Sequence, residues 1–158
     1  MKYLIFILFW SSNVCAISIK CTFEEVYSSG EVQQGFFLLN DKNLRYEYYD
    51  PALFTLLYLN NNLFYSENIN RKKVQQIENQ NSIISHLINV YDDHPNYRDI
   101  YEFHQYEIKV QLSSNKLLKN LIVKSDKLNV RIHFNNCNED NIEKKYLNFN
   151  PILDYVFD

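Results

Sequence analysis

Four histidines, three cysteines and adjacent carboxylate pairs such as Glu24-Glu25 and Asp92-Asp93 are the side chains of this 158-residue sequence that could carry chemistry. His86 falls in an apolar run with helical spacing, His94 follows Asp92 and Asp93, His104 opens a strand-like run, and His133 stands on the polar side of another. Metal binding or acid–base catalysis needs such groups to converge, for example two histidines at i, i+4 on one helix face. None of the four has that spacing. Glu24-Glu25 and Asp92-Asp93 are neighbours in sequence, and neighbours in a strand point to opposite faces. No Gly-x-Ser-x-Gly occurs, and two glycines leave little backbone licence for a phosphate-cradling loop. The pattern describes a binding protein and not an enzyme, with no metal and no cofactor.

Cys21 and Cys137 lie near opposite ends of the chain, without Cys-x-x-Cys or Cys/His ligand spacing. Two readings stand for them: a disulfide, worth at most roughly 4 to 5 kcal/mol for a loop this long, or two buried thiols. The compartment decides which is open to them. Residues 1–16, MKYLIFILFWSSNVCA, place Lys2 before an apolar run from Tyr3 to Trp10 and end on Val14 and Ala16. That is the layout of a secretory signal cleaved after Ala16, its apolar run too short to span a bilayer. A lipoprotein signal at Cys15 is the rival, but Ser12-Asn13-Val14 lacks the residues such a site uses. The expected product is one exported domain, residues 17–158, in a compartment that permits disulfides.

A chain of this length holds a single core that buries roughly two-thirds of its unfolded surface. Aromatics reach 16%, with 13 Tyr and 11 Phe against two Gly and three Pro, which favours sheet over helix. The net charge of −3 becomes more negative once Lys2 leaves with the signal. Nucleic acid and anionic lipid headgroups are therefore poor partners.

The elements follow from periodicity. Around Ser28-Ser29-Gly30, Ile17 to Gln34 alternates as a hairpin. Four short runs come next, Phe36 to Leu39, Leu44 to Tyr49, Thr55 to Leu59 and Leu63 to Ser66, divided by Asn/Asp/Lys clusters and Asp50-Pro51. Within the second, Leu44, Tyr46 and Tyr48 share one face; Arg45, Glu47 and Tyr49 share the other, the wet one. Glu67 to Gln80 is polar and turn-like, with Val74 and Ile77 still touching the sheet. Ile83, Ile84, Leu87, Ile88 and Tyr91 then keep helical spacing, with Ser82 or Asn81 as cap and a stop at Asp92 to Pro95. Such a helix is either core packed on the sheet or a movable lid. Strands resume at Tyr106 to Leu112, Leu117 to Lys124 and Leu128 to Phe134, and a last one is expected at Tyr146 to Phe149. Nine or ten consecutive antiparallel strands curl toward a barrel or half-barrel, whose inward side chains fill the interior or line a hollow for a fatty ligand.

A resemblance rests on the middle of the chain. Gly35, Phe36 to Leu39, Leu44-Arg45-Tyr46-Glu47-Tyr48, Pro51, Leu56 to Leu59, the turn Asn60-Asn61-Asn62 and Leu63-Phe64-Tyr65 together resemble the LolA family of periplasmic lipoprotein carriers. That resemblance implies a mainly β fold: an incomplete antiparallel β-barrel with a helical lid. It implies a monomeric carrier in the periplasm that takes acyl chains of lipoproteins from an inner-membrane ABC transporter and hands them to an outer-membrane receptor. The implied cavity is lined by Phe37, Leu39, Leu44, Tyr46, Tyr48, Leu57, Leu59, Phe64, Ile108 and Val110. Ile83, Ile84, Leu87 and Ile88 form the underside of the lid, with Lys42 and Arg45 as its contacts. Two departures are visible. The turn Asn40-Asp41-Lys42-Asn43 is one residue shorter than the family's and lacks its Pro, leaving Lys42 as the nearest substitute for a lid latch. The family's N-terminal helix is replaced by the strand-like segment before Gly35. The other readings are an envelope-sensing domain of the same architecture, a small secreted β-barrel hydrolase, and a solidly filled structural protein.

Overall fold

The computed structural model describes residues 18–78 and 82–149. The signal segment, Asn81 and the Pro151 end lie outside the described residues. Among those described, ten strands and one α-helix are present: β1 (Ser18–Tyr27), β2 (Val32–Asn40), β3 (Asn43–Tyr48), β4 (Phe54–Leu59), β5 (Asn62–Glu67), β6 (Val74–Ile77), α1 (Ile83–Tyr91), β7 (Ile100–Phe103), β8 (Tyr106–Leu112), β9 (Leu118–Lys124) and β10 (Asn129–Glu139). They form a single antiparallel sheet in the order β6-β5-β4-β3-β2-β1-β10-β9-β8-β7. β1 and β10 pair at its middle, while β6 and β7 are its two edges, so the sheet is not closed into a barrel. The chain passes from one edge to the other through α1.

Local chemistry explains the turns. Asn60 and Asn61 both take positive φ between β4 and β5 (50° and 65°), the two-residue hairpin geometry that asparagine tolerates. Gly30 supplies φ +86° between β1 and β2. Gly35 serves close packing instead, since a methyl group there would stand 2.0 Å from the Glu47 carbonyl oxygen and 2.5 Å from the Phe23 ring. Phe23 lies over the bare backbone of its cross-strand partner, and β2 runs unbroken through the glycine. Cys21 and Cys137 are joined by a disulfide that ties β1 to β10.

Alternation gives the sheet two buried faces. The inner one carries α1: Cys21, Phe23, Phe37, Tyr46, Ile108, Leu121, Ile132 and Phe134 form one apolar cluster with Ile84, Leu87, Ile88 and Tyr91 of the helix. Ser82 caps α1 by accepting a hydrogen bond from the Ser85 backbone N–H at 3.1 Å. Across the other face runs the segment after β10. Ile142 and Leu147 pack on Phe36 and Leu38, the Asn40 side chain donates to the Ile142 carbonyl at 2.7 Å, and Lys144–Tyr146 form a 3₁₀ turn.

Three expectations change here. The segment from Tyr146 forms no strand among the described residues, because its apolar residues are a cover for the sheet and not a part of it. β7, a four-residue edge strand, precedes the first strand expected after the helix, and β6, whose residues are all exposed, makes a strand of the turn-like segment where Val74 and Ile77 are expected to touch the sheet. The side of β3 carrying Arg45 and Glu47 is not wet: both side chains are fully buried.

Candidate functional site beneath the helix

The strand sequence Ile19, Cys21, Phe23, Glu25 places one carboxylate in an otherwise apolar inward series. Glu25 is only 6% exposed. Its Oε1 accepts a hydrogen bond from the Tyr46 hydroxyl at 2.6 Å, and its Oε2 accepts from Tyr27 at 2.5 Å and Tyr48 at 2.9 Å. Neutral donors satisfy the group without cancelling its charge. Burial and the neighbouring Glu25 carboxylate push the Tyr46 and Tyr48 hydroxyls well above the ordinary phenol range, and Tyr27 is shifted the same way.

Rings continue from this cluster across the inner face. Phe23 stacks on Tyr46 with centroids 4.0 Å apart, Tyr48 meets Phe54 edge-on at 5.0 Å, and Phe37 lies between Phe134 and Tyr91 of α1. At the other side of the helix His86 stacks on Phe103 at 4.4 Å. Both ring nitrogens of His86 and the hydroxyl of Tyr91 are buried without a hydrogen-bond partner among the described residues. Burial, and then His104, lower the affinity of His86 for a proton. Three partnerless polar atoms under one nine-residue helix are expensive to keep there, roughly 1–3 kcal/mol for each such group.

The C-terminal end of α1 is tethered twice. Lys42 Nζ stands 3.5 Å from Asp92 in an exposed pair. The Asp93 carboxylate accepts hydrogen bonds from the Tyr101 hydroxyl at 2.9 Å and from Arg98 at 3.0 Å, and these hold it below the usual carboxylate range.

Of the cavity residues expected from sequence, Phe37, Leu39, Leu44, Tyr46, Tyr48, Ile108 and Val110 stand on the inner face. Ile84, Leu87 and Ile88 are buried beneath α1, and Ile83 packs at its edge. Leu57, Leu59 and Phe64 do not join them. Leu57 pairs directly with Arg45 and with Phe64, and Leu59 packs on the outer cluster, so the inward residues of β4 are Phe54, Leu56 and Tyr58. A one-residue slip in alternation exchanges the faces, and an all-apolar run such as Leu56 to Leu59 carries no internal phase.

Arg45 is likewise no lid contact. On the outer face its guanidinium donates to Glu47, with Nε at 2.7 Å from Oε2, and to the backbone carbonyls of Tyr146 and Asn148. Arg71 reaches the other Glu47 oxygen. His86 and His104 are near enough to influence each other, while His94 sits 3.2 Å from the Tyr97 hydroxyl and His133 is 2.6 Å from Asn120 on the outer face. Among the described residues no three His, Cys, Asp or Glu side chains gather as a metal site. Two surface cavities of about 330 and 390 Å³ are also present: the first is lined by Tyr27 of the Glu25 cluster together with Val26, Lys124, Arg131 and His133 among others, and the second lies around His104 and Glu107.

A scan against protein-family models finds no match for this chain, and a comparison with curated proteins finds no relative. Function is therefore read from the inner face itself. Glu25 escapes a reading of the sequence because Glu24-Glu25 looks like a charged pair; the signal is its phase, in step with Ile19, Cys21 and Phe23.

Proposed function

We propose that this protein is a carrier of acyl chains, a periplasmic holder of lipidated cargo that takes hydrocarbon against the inner face of its sheet when α1 lifts. The observation that carries this reading is the placement of α1. One short amphipathic helix joins the two open edges of a ten-stranded sheet and covers an aromatic face, while keeping polar atoms of His86 and Tyr91 buried without hydrogen-bond partners among the described residues. Ten twisted strands with a helix strapped between their edges curl into an incomplete barrel, and the helix acts as its lid.

In the closed form the inner side chains pack on one another, so a guest enters by replacing the underside of α1. Each methylene moved out of water is stabilised by about 0.8 kcal/mol. That gain opposes the contacts of Ile84, Leu87 and Ile88, which the guest displaces. A holder whose empty state is self-sealed releases its cargo without chemistry: the helix competes for the same surface. Delivery between an inner-membrane donor and an outer-membrane acceptor needs that reversibility, because a carrier that binds too tightly cannot hand over.

Titrating the purified chain with a fluorescent fatty-acyl probe tests the reading directly. Saturable binding in the micromolar range is expected, with an increase in melting temperature because only the folded state binds. Leu87→Glu places a charge under the helix and Phe37→Ala removes the ring that Tyr91 stacks on; both are expected to change probe affinity. An unmodified chain that gives no probe signal and no thermal shift would end the carrier proposal.

A further inference from the structure

We propose that Glu25, ringed by Tyr27, Tyr46 and Tyr48, receives an ammonium group at the polar end of the carried ligand. This rests on the acyl-carrier reading and goes further by naming the headgroup chemistry. Four observations converge on it.

First, the carboxylate carries a buried charge that nothing among the described residues balances. Its partners are phenol hydroxyls, and no described lysine or arginine pairs with it. Burying an ion without an opposite charge is unfavourable, and the same chain shows at Glu47 how it balances a carboxylate that is only structural.

Second, the cluster has acceptor capacity left over. A carboxylate offers about four acceptor positions, and the two oxygens use one on Oε1 and two on Oε2. Each tyrosine has committed its only proton to Glu25, so what it still presents is oxygen lone pairs. A site made wholly of acceptors suits an N–H donor with positive charge and repels phosphate or carboxylate.

Third, aromatic faces surround it. Phe23 is stacked on Tyr46, stands edge-on to Tyr48 at 5.4 Å, and Tyr48 in turn meets Phe54. Rings around a carboxylate are the chemistry by which ammonium groups are recognised.

Fourth, the cluster lies where a headgroup would stop. Tyr27 is the last residue of β1 and is half-buried, next to the hairpin at Ser28, and Ile132 stands opposite Glu25, whereas the apolar surface of Phe134, Cys21 and Phe37 continues inward from Phe23. A chain lying along the inner face would therefore carry its polar end at Glu25.

The test uses the full chain loaded with a neutral, environment-sensitive fluorophore, displaced by dodecylammonium, dodecanol or dodecanoate below their aggregation concentrations. On the unmodified protein dodecylammonium is expected to displace the fluorophore at about tenfold lower concentration than dodecanol, with dodecanoate the weakest. Glu25→Gln is expected to bring the ammonium and the alcohol to within about twofold of each other. Tyr27→Phe, which keeps the charge and removes one donor, is expected to widen the gap. Equal displacement by ammonium and alcohol on the unmodified chain overturns the proposal without any variant, and so does a preference that survives in folded Glu25→Gln. If the alcohol displaces the fluorophore and the ammonium does no better, only the headgroup assignment falls; if the chain takes up no fluorophore at all, the carrier reading falls with it. Lysophosphatidylethanolamine and an acylated peptide with a free amino terminus, run as further competitors, separate a lipid from a lipidated protein as the source of the ammonium group.

Discussion

Two carboxylates are buried in this sheet, and they are satisfied in opposite ways. Glu47, on the outer face, lies between the guanidiniums of Arg45 and Arg71, and Arg45 in turn holds the carbonyls of Tyr146 and Asn148. Glu25, on the inner face, has three tyrosine hydroxyls and, among the described residues, no cation. The difference matches what covers each face. Over the outer face lies the chain's own last described segment, docked by charge-assisted hydrogen bonds that leave Glu47 neutralised. Over the inner face lies a helix held by apolar packing and, at its C-terminal end, by contacts of Asp92 and Asp93. Buried polar atoms without a hydrogen-bond partner among the described residues occur on both sides, the His86 nitrogens and Tyr91 hydroxyl here, Ser66 Oγ and Arg71 Nη1 on the Glu47 side. One face is sealed and the other is only closed.

The same substitution at both positions separates them, and it is the largest effect expected. Glu47→Gln confronts two guanidiniums with a neutral amide, and guanidinium can only donate. Leaving buried charge unpaired typically costs about 3–5 kcal/mol, and undocking of the segment around Tyr146 should accompany the loss. Glu25→Gln confronts three hydroxyls that can turn and accept from the new amide, so a loss of about 1–2 kcal/mol is expected. Urea denaturation of the two variants reads the contrast. Equal losses would mean that Glu25 is as structural as Glu47.

How much of this is legible in the sequence differs between the faces for a physical reason. The hairpins around Asn60-Asn61 and Ser28-Gly30, the run of β3, and α1 with its Ser82 cap follow from period and turn chemistry, which are local. The inward set Leu44, Tyr46, Tyr48 is legible because polar residues alternate with it. Leu57, Leu59 and Phe64 fall on the wrong face in a local reading because their strands are apolar on both sides, and only pairing with β3 fixes their phase. Arg45 and Glu47 look like surface residues in any local reading; they are buried because a segment about a hundred positions later covers them. Long-range cover leaves no trace in periodicity.

The next effect in size concerns alkali. Tyr46 and Tyr48 are held neutral by burial and by Glu25, so their folded-state pKa values lie above the ordinary value near 10. An unfolded chain loses these protons near pH 10 and the folded chain does not. Stability from these groups is therefore complete below pH 10 and falls as the pH rises above it. Tyrosinate absorbance should appear in one cooperative step with unfolding, and Tyr46→Phe should make the alkaline loss shallower at a neutral-pH cost of about 1.5–3 kcal/mol, the range for a hydrogen bond to a charged group. A smooth titration of all tyrosines in the folded protein would show that the inner face is open to solvent at rest.

The smallest effect bears on the helix and tests whether closed differs from sealed. His86 is lowered in its affinity for protons by burial and by His104; the groups packed on it are Phe103 and Tyr106, and α1 has no acidic residue in its first turn to offset a charge. Lifting the helix returns His86 to an ordinary value near 6.5. The closed state thus binds fewer protons than the open one, so closure is fully favoured above about pH 6.5 and weakens as the pH falls below it. Because the helix competes with the guest for the same surface, dissociation of a bound acyl probe, followed after rapid dilution, should run a few-fold slower, roughly threefold, at acid pH than at neutral pH. His86→Phe keeps the stack on Phe103 and removes the titrating group, and the rate should then be flat across that range. Lys42→Ala breaks only an exposed ion pair, worth about 0.2–1 kcal/mol, and should leave the pH dependence in place. If the lysine variant abolishes the pH dependence and the histidine variant keeps it, the hold on the helix lies in its tether at Asp92 and not in the unpaired ring beneath it.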